Sequence, residues 1–190
     1  MSGSHLISAL SREEELIDAC RQGDRTAQKE LFNLLSPRMY AVCLRYAGNS
    51  DDAKDILQDG FVTVFSRLDS YSGSGSFEGW ARKIFVNTAL MHLRKNDALK
   101  FSDDISAARG LSSEGTDAVG QIGYKQLLAL ISSLPDDART IFNLYVVEGY
   151  SHKEISRMLG IPEATSRSKL QRARMRLQEL IKKMNGNDGK

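Results

Sequence analysis

Residues 151–174 read Ser151-His-Lys-Glu154-Ile155-Ser-Arg-Met-Leu159-Gly160-Ile-Pro162-Glu-Ala-Thr165-Ser166-Arg167-Ser168-Lys169-Leu170-Gln-Arg172-Ala173-Arg174. Each punctuation mark in this stretch has a mechanical reason. Ser151 followed three residues later by Glu154 is a capping-box pattern, and Ile155 and Leu159 then fall on one helical face. Gly160 accepts a tight turn, and Pro162 pre-sets the start of a second helix. Two short helices joined this way form a helix-turn-helix. On the second helix Leu170 and Leu177 face inward. Thr165, Ser166, Arg167, Ser168, Lys169 and Arg172 are the candidate outward set, combining hydrogen-bonding and cationic groups suited to base edges and phosphates of a major groove.

Working outward, the charge supports a polyanion partner. The chain has 190 residues and a formal net charge of +2, but residues 1–100 are neutral, 101–150 carry −4 and 151–190 carry +6. Cations gathered beside a neutral body gain affinity by releasing counterions condensed on phosphates. With 41% hydrophobic and 26% charged residues, the composition is that of a globular protein and excludes wholesale disorder. Two cysteines, Cys20 and Cys43, and three scattered histidines offer neither a disulfide framework nor a metal site, so both thiols are expected to be reduced and buried. No metal and no cofactor is expected. The apolar runs, Leu127 to Ile131 among them, are far short of a membrane span of about 20 residues, and a basic signal-peptide start is lacking. The expectation is therefore a cytoplasmic protein without membrane insertion.

Toward the N-terminus, helical periodicity predicts a second all-α body. Ser11 and Glu14 make another capping-box pattern ahead of Ile17 and Cys20, Gly23 stops that helix, and Asp24 is placed to cap the next. Pro37 predicts a kink or a new first turn within the following helix. From Ser50, the residues Ile56, Leu57, Phe61, Val64, Phe65 and Leu68 repeat at helical spacing, with Asp52, Asp55, Gln58 and Asp59 on the other face. A Ser/Gly-rich loop at 69–76 precedes a further apolar stripe of Phe77, Trp80, Ala81, Ile84 and Phe85. The 28 residues 96–123 are rich in Ser, Gly, Ala and Asp and read as a flexible linker. The fold class is thus all-α, with two small helical domains at 11–95 and 124–184, a linker at 96–123, and disordered tails at 1–10 and 185–190. Val146 and Val147 alone do not make a strand.

These residues resemble a known family. Leu134-Pro135, Arg139, Phe142, Glu148-Gly149-Tyr150-Ser151, Glu154-Ile155, Leu159-Gly160, Thr165, Ser168 and Arg172-Ala173-Arg174 resemble the fourth-region domain of extracytoplasmic-function sigma factors. Asp55-Ile56-Leu57-Gln58-Asp59-Gly60-Phe61 resembles the second-region helix that docks the polymerase clamp. Phe77-Glu78-Gly79-Trp80-Ala81-Arg82-Lys83-Ile84, with Asn87 and Arg94, resembles the promoter-melting helix. The matches cover roughly residues 12–95 and 124–182.

The resemblance implies an alternative sigma factor of bacterial RNA polymerase that recognises −35 duplex DNA and melts the −10 element. By position, Asp52, Asp55, Gln58 and Asp59 become the polymerase-binding group, a carboxylate and amide face able to pair with arginines of a partner. Tyr71, Lys83, Asn87, Arg94 and Lys95 become the −10 candidates, with the loop 71–76 as the wall of a pocket for an exposed base. Thr165, Ser166, Arg167, Ser168, Lys169 and Arg172 become the −35 candidates. Core RNA polymerase, promoter DNA and an anti-sigma factor are the implied partners, and the free chain is expected to be monomeric and nucleoid-associated only through polymerase.

Two residues depart from the family pattern. Gly60 sits inside the docking helix, where glycine costs up to ~1 kcal/mol against alanine, so the expectation is either a less rigid helix or the close approach of another. Met91 stands where the family usually has an acidic residue. A linker of 28 residues has a coil dimension of about 30 Å and an extended reach of ~90 Å, so it lets two modules reach separated elements without fixing their spacing. A free-standing helix-turn-helix regulator is the alternative, and it predicts a dimer seam and a ligand pocket that the sequence does not offer. An enzyme is not expected, because no acid, base, nucleophile or metal constellation stands at useful spacing.

Overall fold

In a computed structural model of the chain, residues 3–100 and 120–187 are described, and every regular element among them is helical. They form two compact units, one holding Met1–Cys43 and Asp51–Leu99, the other Leu44–Ser50 and Lys100–Lys190.

The first unit is built from α1 (Gly3–Arg21), α2 (Arg25–Ala47, whose last turn is counted with the second unit), α3 (Ser50–Ser66), a 3-10 turn at Leu68–Ser70, and α4 (Phe77–Lys100). Asp24 caps α2 as expected, its Oδ1 accepting from the N–H groups of Thr26 (2.7 Å) and Ala27 (3.2 Å). Three boundaries differ from the sequence expectation. α1 starts at Gly3, so Ser11 lies within it rather than at its cap, because nothing between Ser4 and Leu10 breaks a helix. α2 runs unbroken through Pro37, which rules out a new first turn there: one missing N–H is tolerated inside a well-packed helix. α4 continues to Lys100, since residues 96–100 contain neither Gly nor Pro. The remainder of the expected linker, 101–119, lies outside the described residues.

Leu31, Met39, Ile56, Val64, Phe77, Phe85 and Val86 are the buried centre of this unit, and Cys20 and Cys43 are buried free thiols. Phe61 joins α3 to its neighbours, its ring centroid 4.5 Å from that of Phe32 and 5.2 Å from that of Phe85. Gly60 has the close approach that the sequence left as one explanation: a Cβ there would stand 2.2 Å from Cε1 of Phe85.

In the second unit come α5 (Gly120–Ser132), α6 (Asp136–Phe142), a π-helical segment at Asn143–Val147, α7 (His152–Leu159) and α8 (Glu163–Asn187). Helix thus takes residues 120–123 of the expected linker and 185–187 of the expected C-terminal tail. Leu134, Ala138, Ala173 and Leu177 pack together with Leu130 and Phe142 against them. Val146 and Val147 belong to the π segment, whose wider turn leaves both exposed. The turn into α6 is held by Arg139, only 3% exposed. Its Nη1 donates to the carbonyls of Ser132 (3.1 Å) and Leu134 (3.3 Å), and its Nη2 to Asp136 (2.6 Å).

Candidate nucleic-acid interface

The entry to α7 is a complete capping box: Glu154 N–H donates to Ser151 Oγ (3.3 Å) while Ser151 N–H donates to Glu154 Oε2 (2.8 Å). The Ser151 hydroxyl also donates to that carboxylate (2.6 Å), and these bonds hold the Glu154 carboxyl below its usual range. Gly160 ends α7 in the left-handed region (φ 68°), the conformation that glycine tolerates at least cost. Ser156 Oγ donates to Ile161 O across the turn (2.6 Å), and α8 begins after Pro162.

From that start, Ser166, Leu170, Ala173 and Leu177 form the inward face of α8 at helical spacing. The inclusion of Ser166 corrects the sequence expectation. It is 0% exposed, and its hydroxyl shares a 2.8 Å hydrogen bond with His152 Nδ1, so it faces inward and ties α8 to α7. Its position four residues before Leu170 was the available signal, masked by its polar side chain. The other five candidates lie outside this row. Arg167, Ser168 and Arg172 are exposed, and Thr165 and Lys169 half-buried. Arg167 pairs with Glu163 at 2.8 Å, and Lys169 forms an ion pair with Asp137 of α6. Exposed pairs of this kind are weak, so phosphates can compete for the cations.

Behind the turn, His152 stacks on Tyr145 with centroids 4.5 Å apart, and the Arg174 guanidinium lies 5.8 Å from the Tyr145 ring centre. Burial, and then Arg167, hold the His152 imidazole below its ordinary range, Glu163 opposing and Arg174 adding to the effect.

In the first unit a second polar surface runs along α4. Lys83, Asn87, Arg94 and Lys95 are all exposed, at spacings that put them on one stripe, while Ala81, Phe85, Val86, Ala89 and Leu90 face the core. Tyr71 stands apart from this stripe in sequence but at its N-terminal end in space. Its ring meets Phe77 edge-on (5.1 Å) and Trp80 at a tilt (5.5 Å). Its hydroxyl donates to Gly75 O (2.8 Å) and closes the loop. Arg21 of α1 clamps the same residue, donating to Tyr71 O at 2.6 Å, a role that no sequence motif announced. Tyr71 and Trp80 are only half-buried, so the cluster keeps aromatic surface facing outward.

On α3, Asp55, Gln58 and Asp59 are exposed together as expected. Asp52 is half-buried and points toward α4, its Oδ1 3.6 Å from Nε2 of His92, so it sits at the margin of this face. Val62, missed by the sequence reading, is 64% exposed and continues the same row one turn on. It could have been found as the valine out of phase with Ile56, Val64 and Leu68.

Comparison with known proteins gives two family matches: the sigma-70 region 2 model over residues 31–99 and the sigma-70 region 4 model over residues 124–177. An ECF RNA polymerase sigma-E factor of Salmonella typhimurium is 30% identical over 177 residues, covering 85% of this chain and 90% of that protein. The ECF RNA polymerase sigma factor SigE of Mycolicibacterium smegmatis is 32% identical over 169 residues, covering 85% of this chain and 65% of that protein. Among solved structures, the sigma factor RpoE from Bartonella quintana, crystallised with the anti-sigma factor NepR, has a similar fold: TM-score 0.55 at 23% identity, covering 81% of this chain and 96% of that one.

Proposed function

Because the chain belongs to the ECF RNA polymerase sigma factors, we propose that it is an alternative sigma factor that binds core RNA polymerase and directs promoter-specific initiation. It is not an enzyme; the chemistry of RNA synthesis stays with the polymerase. In this reading Asp55, Gln58 and Asp59, with Asp52 at the margin, dock the polymerase. Tyr71, Lys83, Asn87, Arg94 and Lys95 serve the −10 element, and Thr165, Arg167, Ser168, Lys169 and Arg172 serve the −35 element. The observation that carries the reading is the presence, in one chain, of a cationic helix-turn-helix and a separate polar stripe beside an outward aromatic cluster. One suits groove reading of duplex DNA and the other suits capture of unstacked bases.

The physical logic is that opening DNA costs a few kcal/mol per unstacked step, and without ATP that cost is offset by binding the exposed strand. Trp80 and Tyr71 supply aromatic faces and the α4 cations supply phosphate contacts. An anti-sigma factor that covers the docking and DNA-reading surfaces is the expected regulator. The protein acts in the cytoplasm, monomeric when free and at the nucleoid through polymerase. Among the described residues no helix is long and apolar enough to cross a membrane.

Run-off transcription from genomic fragments with purified core polymerase tests the reading. Discrete transcripts that require this chain are expected. Failure to direct any transcript, together with failure to compete with another sigma factor for core, overturns it.

A further inference from the structure

α4 carries one side chain that neither its packing nor its charge accounts for. Met91 is 69% exposed, the most exposed of the large apolar side chains among the described residues of this helix. The core side of α4 is already filled by Phe77, Ala81, Phe85, Val86, Ala89 and Leu90. A thioether left in water adds little to stability, and a charged residue would serve the helix as well. Its position is what gives it meaning. At about 100° per residue, Met91 lies between Asn87 and Lys95 on the wheel, each about 40° away, and Trp80 lies within about 20° of it. Among the described residues, every other exposed member of that arc, namely Lys83, Asn87, Arg94 and Lys95, is cationic or an amide.

Trp80 and Met91 are eleven residues apart, about 16 Å along the axis, close to the rise of five stacked nucleotides. A strand whose phosphates follow the cations thus passes an aromatic side chain at one end and a flexible apolar one at the other. A methionine there offers no donor and only a weak acceptor, so it does not discriminate bases through their polar edges. It can take an apolar group, and among the bases only thymine presents a methyl.

We propose that Met91 is a specificity-determining residue that contacts the C5-methyl of a thymine in the −10 strand. The proposal rests on the sigma-factor reading above and adds to it a base identity at one position. It also gives the methionine's flexibility a use, since its three rotatable bonds let it follow a base that has left the stack.

The experiment uses holoenzyme made from core polymerase and the full chain, on a promoter that it transcribes. Each non-template thymine of the −10 element is replaced in turn by deoxyuridine, which lacks only the methyl. Wild-type protein should initiate about fourfold less well at one such position, the ratio expected for about 0.8 kcal/mol of lost methyl burial. Met91→Ala should abolish that discrimination while Met91→Leu retains most of it, and thermal melting of both variants should match wild type because the site is exposed. Equal initiation on thymine and deoxyuridine templates at every position, or unchanged discrimination in Met91→Ala, overturns the proposal. Absence of any wild-type transcript instead removes the sigma-factor reading itself, so the two failures are distinguishable.

Discussion

At Gly60 the backbone of α3 passes so near Phe85 that any side chain would strike the face of a fully buried ring. Alanine gains up to ~1 kcal/mol of helix propensity over glycine, whereas overpacking a closed core costs about 1–3 kcal/mol, so packing decides the sign. Gly60→Ala should lower the urea midpoint of the first unit by the equivalent of about 1 kcal/mol; an unchanged or raised midpoint would show that Phe85 can move aside. His152 gives a pH signature in the second unit. Its imidazole is held below its ordinary value of 6.5, so the unfolded chain binds the proton more readily than the native one. Stability is complete above about 6.5 and declines as pH falls from there to the lowered native value. His152→Phe keeps an aromatic ring on Tyr145 and takes up no proton. It should flatten the fall in melting temperature below pH 6.5, and an identical pH profile in both proteins would contradict this assignment.

At the scale of the element, α8 has an inward face set by Ser166, Leu170, Ala173 and Leu177, and an outward face that is proposed to read DNA. Replacing Arg167 and Arg172 with alanine leaves that face intact. The pair should reduce the log–log salt slope of binding to −35 duplex by roughly 2 and leave association with core polymerase unchanged, as read by fluorescence anisotropy. On α3, Asp55→Ala combined with Asp59→Ala should weaken core association without altering the helical circular dichroism, because both carboxylates are exposed. Loss of duplex binding instead would contradict the division of roles. Much of this was legible in the sequence where a local rule acts alone: the Ser151–Glu154 box, Gly160, the Asp24 cap and the apolar rows all formed as their spacing required. What was not legible depended on a neighbouring element. A serine beside a histidine fourteen residues back became part of the core, Arg21 reached a loop carbonyl fifty residues away, and helix propagation carried α1 and α4 past boundaries that composition suggested.

For the whole molecule, the two surfaces proposed to read DNA belong to separate units. Each surface alone makes few contacts, and weak contacts multiply only when something holds both surfaces at the right separation. In the proposed reading the host polymerase is that ruler. The direct measurement is promoter affinity and selectivity of the full chain, free and then bound to core polymerase, at one fixed physiological salt concentration. Weak, nearly sequence-independent binding by the free chain and at least hundredfold preference for promoter by the assembled enzyme is the predicted result; equal affinity and selectivity in both states would contradict it.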